Sequence, residues 1–74
     1  MKRTFLLEDL DCAHCAQKIQ DKVAKMDGVS SCTVTFLTQK MVYEVEDSKD
    51  AEVEAAMKKL VAEMEPDVTV KAMQ

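Results

Sequence analysis

Between Lys2 and Glu8 the chain alternates with the period of a β-strand, Phe5 and Leu7 falling on one face and Thr4 and Leu6 on the other. The period then changes. From Ala16 onward the apolar residues Ala16, Ile19, Val23 and Met26 recur at helical spacing, and Asp27-Gly28 supplies a stop of the kind that follows a helix. This predicts a first helix that begins at or beside Cys15. Over Val29 to Phe36 the period is two again, with Cys32, Val34 and Phe36 facing one way and Thr33 and Thr35 the other. A polar turn at Thr38-Gln39 leads to Met41, Tyr43 and Val45, a third strand hairpinned onto the second. Asp47 and Ser48 are candidate helix caps. Val53, Ala56, Met57, Leu60 and Met64 then mark one face of a second helix, which stops near Glu65 because Pro66 disfavours helical geometry in the residue before it. Val68 and Val70 give a short last strand.

The predicted order is β-α-β-β-α-β, an α+β chain of the split-βαβ or ferredoxin-like kind, in which two helices cover one face of a four-stranded antiparallel sheet. Its expected core is Phe5, Leu7, Ile19, Val23, Met26, Val29, Val34, Phe36, Met41, Tyr43, Val45, Val53, Met57, Leu60, Met64, Val68 and Val70. A chain of 74 residues holds one such core and no second, so residues 1–74 are read as a single domain. A core of this size should stand without a metal, unlike that of a zinc finger, whose ligand set replaces it. Of the six methionines, Met26, Met41, Met57 and Met64 face this core, so they read as packing rather than as a thioether metal site.

Charge narrows the partners. The formal charge is −4 with acidic and basic residues interspersed, and no basic stripe is present to displace phosphate counterions, which argues against nucleic-acid binding. No run reaches membrane-spanning length, and Glu8 and Asp9 interrupt the short apolar stretch after Lys2-Arg3, so neither membrane insertion nor a secretory signal is expected. Three cysteines without an export signal point to a reducing, cytoplasmic setting, where a close thiol pair more often means metal or redox chemistry than a structural disulfide.

That pair lies in Leu10-Asp11-Cys12-Ala13-His14-Cys15, between the first strand and the first helix. Cys15 is placed at the helix N-terminus, where unpaired N–H groups and the helix dipole favour a thiolate. Two thiolates at CxxC spacing converge on one soft cation such as zinc or copper(I). A structural zinc site wants four protein ligands, so a lone pair in a surface loop implies an open coordination sphere and ready exchange. Thiol-disulfide exchange is the other chemistry the spacing allows, although the chain lacks the Trp and Gly-Pro usual around redox CxxC motifs. Asp11 is either a third, oxygen ligand or a helix cap. His14, between the cysteines, is expected to point outward, and Cys32 to behave as a small buried hydrophobe.

Over nearly its whole length the chain resembles the heavy-metal-associated domains found as soluble copper chaperones and as cytosolic modules of metal-exporting P-type ATPases. The family's Gly-Met-x-Cys-x-x-Cys loop corresponds to Asp9-Leu10-Asp11-Cys12-Ala13-His14-Cys15, followed by a helix and Gly28-Val29 leading into Val34 and Phe36. Asp9 for glycine and Leu10 for methionine are departures, the second conserving volume beneath the loop. In that family Asp before the first cysteine accompanies zinc, cadmium and lead exporters, and Thr or Ser accompanies copper. A hard carboxylate suits a divalent ion, whereas copper(I) is content with two sulfurs. The resemblance therefore implies a non-enzymatic module that carries zinc, cadmium or lead on Cys12, Cys15 and Asp11, with copper(I) as the alternative cargo. Its implied partner is a metal-transporting P-type ATPase or another metal-binding module.

Overall fold

The computed structural model describes residues 1–73. Its elements are β1 (Lys2–Glu8), α1 (Ala13–Ala24), β2 (Val29–Thr35), β3 (Lys40–Val45), a 3₁₀ turn (Asp47–Lys49), α2 (Asp50–Met64) and β4 (Thr69–Ala72). The strands make one antiparallel sheet in the order β2-β3-β1-β4. Each helix carries the chain across the sheet, so β1 has β3 and β4 for neighbours instead of β2. This is the predicted ferredoxin-like arrangement. Among the described residues no helix is long and apolar enough to cross a membrane.

Register places the large side chains. Phe5 lies opposite Met41, Leu7 opposite Val70, and Cys32 opposite Tyr43, and the period of two sends Phe5, Leu7, Met41, Tyr43 and Val45 into the core together. The Phe5 and Tyr43 rings stack with centroids 5.7 Å apart. From above, α1 adds Ala16, Ile19 and Val23, and α2 adds Val53, Met57 and Val61. Here the structure departs from the expected face of α2. Val61 is fully buried, Leu60 only partly so, and Ala56 is exposed, because residues four apart form one row along the helix and the row starting at Val53 runs through Met57 to Val61. Met26, Val29, Val34, Phe36, Met64 and Val70 pack around the core's margin rather than inside it.

The helix ends are fixed by polar contacts. The expected caps Asp47 and Ser48 lie in the 3₁₀ turn, and Lys49 precedes α2 without a side-chain cap bond. Instead Asp50 and Glu52 occupy the first turn, where the dipole favours negative charge. Arg3 of β1 reaches Asp50 and, further along the helix, Glu54: Nη1 donates to both Asp50 carboxylate oxygens at 2.7 and 2.8 Å, Nη2 lies 2.8 Å from Glu54, and the guanidinium sits 5.0 Å over the Phe5 ring. A half-buried guanidinium fork of this kind holds better than an exposed pair. After α1, Gly28 takes φ 96, a backbone conformation that favours glycine, and a Cβ there would press on the Lys49 side chain, whose Cδ would lie 2.8 Å away. On the edge strand β2, Gln20 Oε1 accepts from the Val34 N–H at 3.0 Å, covering one open donor.

Among the described residues one buried side-chain polar atom has no hydrogen-bond partner, the Tyr43 hydroxyl. Burial raises its pKa to about 12. Leaving such a group unpaired costs about 1–3 kcal/mol. Tyr43→Phe keeps the stacked ring and removes the orphan, so urea unfolding should show it more stable than the parent by about 1 kcal/mol, and a less stable variant would show that the hydroxyl contributes a bond.

Candidate metal centre

The loop that follows β1 is shaped before it presents any sulfur. The Leu10 N–H closes a turn onto the Leu7 carbonyl at 3.4 Å, with Asp9 in the left-handed region at φ 68. Glycine is at home there, and Asp is one of the few other residues enriched in it. Leu10 then turns inward and is 1% exposed, beneath the loop as expected. Asp11 points into solvent.

Cys12 comes next, extended at φ −134 and ψ 117, as the N-cap of α1. Its Sγ accepts from the Cys15 N–H at 3.4 Å, and its carbonyl accepts from the Ala16 N–H at 3.0 Å. The helix begins at Ala13, two residues ahead of Cys15, at or beside which apolar spacing placed its start, because a capping side chain and not the apolar stripe sets the first turn. Cys15 sits inside that turn, partly buried against the core. Cap and first turn thus bring the two thiols side by side at the rim of a finished core.

Their protons are divided unequally, and not as the sequence led one to expect. Cys12, rather than Cys15, is held below the ordinary thiol range, chiefly by the Cys15 N–H and then by the Cys15 thiol and the His14 N–H. Cys15 is pushed up to about 12, first by hydrogen bonding with the Glu65 carboxylate, then by Cys12 and by desolvation. The lowered thiol is thus the one at the N-cap, and the raised one lies within the first turn beside Glu65.

Glu65 is the neighbour that sequence reasoning missed. It caps the C-terminus of α2, its N–H donating to the Val61 carbonyl at 2.7 Å, just ahead of Pro66. Its approach to the thiols follows from topology: β1 and β4 are antiparallel partners with Glu8 opposite Thr69, so the connection leaving β1 and the connection entering β4 share one end of the sheet.

Other candidates lie apart. His14 is exposed, and Cys32 is half-buried on β2, its thiol pushed up to about 11 by burial. All three cysteines are free thiols. Among the described residues no three His, Cys, Asp or Glu side chains are gathered tightly enough to enclose a metal ion. The arrangement is a pair of partly exposed thiols with the Glu65 carboxylate beside Cys15.

The family model for the heavy-metal-associated domain matches residues 4–71. The chain is 30% identical over 71 residues to the cadmium, zinc and cobalt-transporting ATPase of Bacillus subtilis, covering 96% of this chain and 10% of that protein. To the zinc/cadmium/lead-transporting P-type ATPase of Escherichia coli it is 38% identical over 56 residues, 76% of this chain and 8% of that one. It thus spans a tenth or less of the length of these relatives. Among solved structures, the N-terminal domain of a potential copper-translocating P-type ATPase from Bacillus subtilis in its Cu(I)-loaded state superposes with a TM-score of 0.77 at 28% identity, covering 96% of this chain and 84% of that one. The family match takes in all four strands, both helices and the CxxC loop between β1 and α1, and the chain belongs to the heavy-metal-associated domain family.

Proposed function

We propose that this domain captures a soft divalent ion, zinc, cadmium or lead, on the Cys12 and Cys15 sulfurs and passes it on, with Asp11 as an oxygen donor. The observation that carries the reading is the adjacency of the two thiols on the rim of a core that is complete without them. Two soft sulfurs select thiophilic ions, and a hard carboxylate tips the set toward a divalent one. Asp11 is exposed one residue before the cap, free to swing toward the sulfurs, and Glu65 offers a second carboxylate from the other side.

The ion is cargo, and the domain breaks no bond in a substrate. An incoming ligand fills the open coordination position before Cys12 or Cys15 leaves, so the ion is never bare and the barrier to transfer stays low. The receiving partner is the transmembrane part of a metal-transporting P-type ATPase or another metal-binding module, on the cytosolic side where thiols remain reduced. Support for a divalent cargo comes from Asp11 and from the metals named for the Bacillus subtilis and Escherichia coli relatives.

Copper(I) is the second reading, favoured by the 28% identity to a Cu(I)-loaded domain. Competition titration under reducing conditions separates the two. Losing a ligand should cost at least as much as losing an outer-shell partner, about 10–100-fold. Asp11→Ala is therefore expected to weaken zinc and cadmium binding about tenfold or more and to leave copper(I) binding nearly unmoved. Equal affinity of parent and variant for zinc and cadmium removes the case for a divalent cargo. Catalytic reduction of a disulfide substrate with all metal chelated would instead make the domain an oxidoreductase.

A further inference from the structure

The turn between β2 and β3 is hydrogen-bonded to the segment leading into the metal loop through Gln39. Gln39 takes the left-handed backbone conformation at φ 56, and its N–H donates to the Phe36 carbonyl at 3.2 Å, closing the hairpin. Its carbonyl accepts from the Leu7 N–H at 2.7 Å, and its side-chain Nε2 donates to the Leu10 carbonyl at 2.7 Å. These two bonds grip both ends of the Leu7–Leu10 turn, the segment that reverses the chain at Asp9 and aims it toward Cys12. The acceptor at Leu10 is a carbonyl, which fixes the Gln39 amide with its nitrogen toward the loop. Among the described residues no other side chain hydrogen-bonds to the backbone of residues 7–11.

From this geometry we infer that Gln39 is a positioning residue for the metal loop. Delivered from a rigid hairpin, its amide holds the Leu10 carbonyl so that the two following residues, Asp11 and Cys12, leave the turn in the direction that sets Cys12 beside Cys15. The inference rests on the reading that Cys12 and Cys15 hold the ion. Without the amide the fold remains, since strand pairing and core burial do not use it, but the loop samples orientations in which the sulfurs do not converge. Each binding event must then restore the productive orientation, and apparent affinity falls by the fraction of time the loop spends in it.

The conformation at φ 56 makes a clean test possible. Gln39→Gly removes the amide while relaxing the backbone, so a purely structural role predicts no loss. Gln39→Lys returns a donor of similar reach, and its positive charge works against a cation, so recovered binding cannot come from electrostatics. Zinc and cadmium affinity and chelator-driven metal release are measured beside the melting temperature of the metal-free domain. A hydrogen bond of ordinary strength corresponds to about a 3–10-fold change. Expected are about 3–10-fold weaker binding and faster release in Gln39→Gly with an unchanged or higher melting temperature, and affinity closer to the parent in Gln39→Lys. Parent-like affinity in Gln39→Gly overturns the inference, as does affinity that falls only in step with melting temperature. A Cys12→Ser, Cys15→Ser double variant run in parallel isolates the underlying reading: if it binds zinc as the parent does, the thiols are not the site and the inference falls with that reading.

Discussion

Cys12→Ser should abolish tight zinc and cadmium binding while leaving the metal-free domain as stable as the parent or more so. The two halves of this result come from one position. In the proposed site the Cys12 sulfur is one of the two thiol donors, and it carries the lowered pKa of the pair. A serine hydroxyl is not deprotonated at neutral pH and offers a hard, neutral oxygen in its place. Apparent affinity should fall about 100-fold or more, equivalent to about 2.8 kcal/mol. As an N-cap, Cys12 accepts the Cys15 N–H at a long 3.4 Å, whereas serine is among the strongly preferred caps. A gain of a few tenths to about 1 kcal/mol corresponds to as much as about 4–8 °C in melting temperature for a domain of this size. Calorimetry of the metal-free proteins and competition titration of the loaded ones check the two halves separately. Cys12→Ser that retains parent-like zinc affinity removes Cys12 from the site, and Cys12→Ser that melts well below the parent shows that the sulfur holds the fold as well.

What the sequence made legible depended on how local each cause was. The strand and helix order could be read because Phe5, Leu7, Met41, Tyr43 and Val45 repeat at period two and Ala16, Ile19 and Val23 at the helical period. The CxxC spacing, likewise, is a local signature. Where two apolar residues adjoin, as at Leu60-Val61, periodicity could not choose which one faces the core, and tertiary packing chose Val61. The start of α1 escaped because Cys12 acts there through a backbone contact, and neither Ala13 nor His14 belongs to the apolar stripe. The lowering expected at Cys15 falls on Cys12 for a related reason. A helix N-terminus favours charge on the residue that accepts its N–H groups, which is the cap, and Cys15 meets a carboxylate instead. Glu65 and Gln39 lie far from the loop along the chain, so no local pattern reports them. Strand order alone brings both connections to the thiols' end of the sheet.

Leu10→Ala is expected to have the largest effect on stability of any change in the loop. Leu10 is 1% exposed, the one core residue that the chain contributes between β1 and α1. Truncating a leucine so buried costs about 2–5 kcal/mol, by lost transfer energy and by the cavity left behind. Domains are stable by about 0.05–0.15 kcal/mol per residue, so this chain has roughly 4–11 kcal/mol in all, and the variant should lose a large share of it in urea unfolding at 25 °C. Leu10→Met conserves volume and should cost less than about 1.5 kcal/mol. Repeating both measurements with zinc separates packing from loop geometry. A ligand that binds only the native state adds about 2.7 kcal/mol at 100 times its Kd. If Leu10 supports only the core, zinc at a fixed concentration adds the same increment to parent and Leu10→Ala. If the side chain also props the turn that aims Cys12, the increment shrinks in Leu10→Ala and recovers in Leu10→Met. Because Leu10 fills the space beneath the turn whose carbonyl Gln39 holds from above, the second outcome is the expected one. A Leu10→Ala protein whose zinc increment equals that of the parent would confine Leu10 to the core.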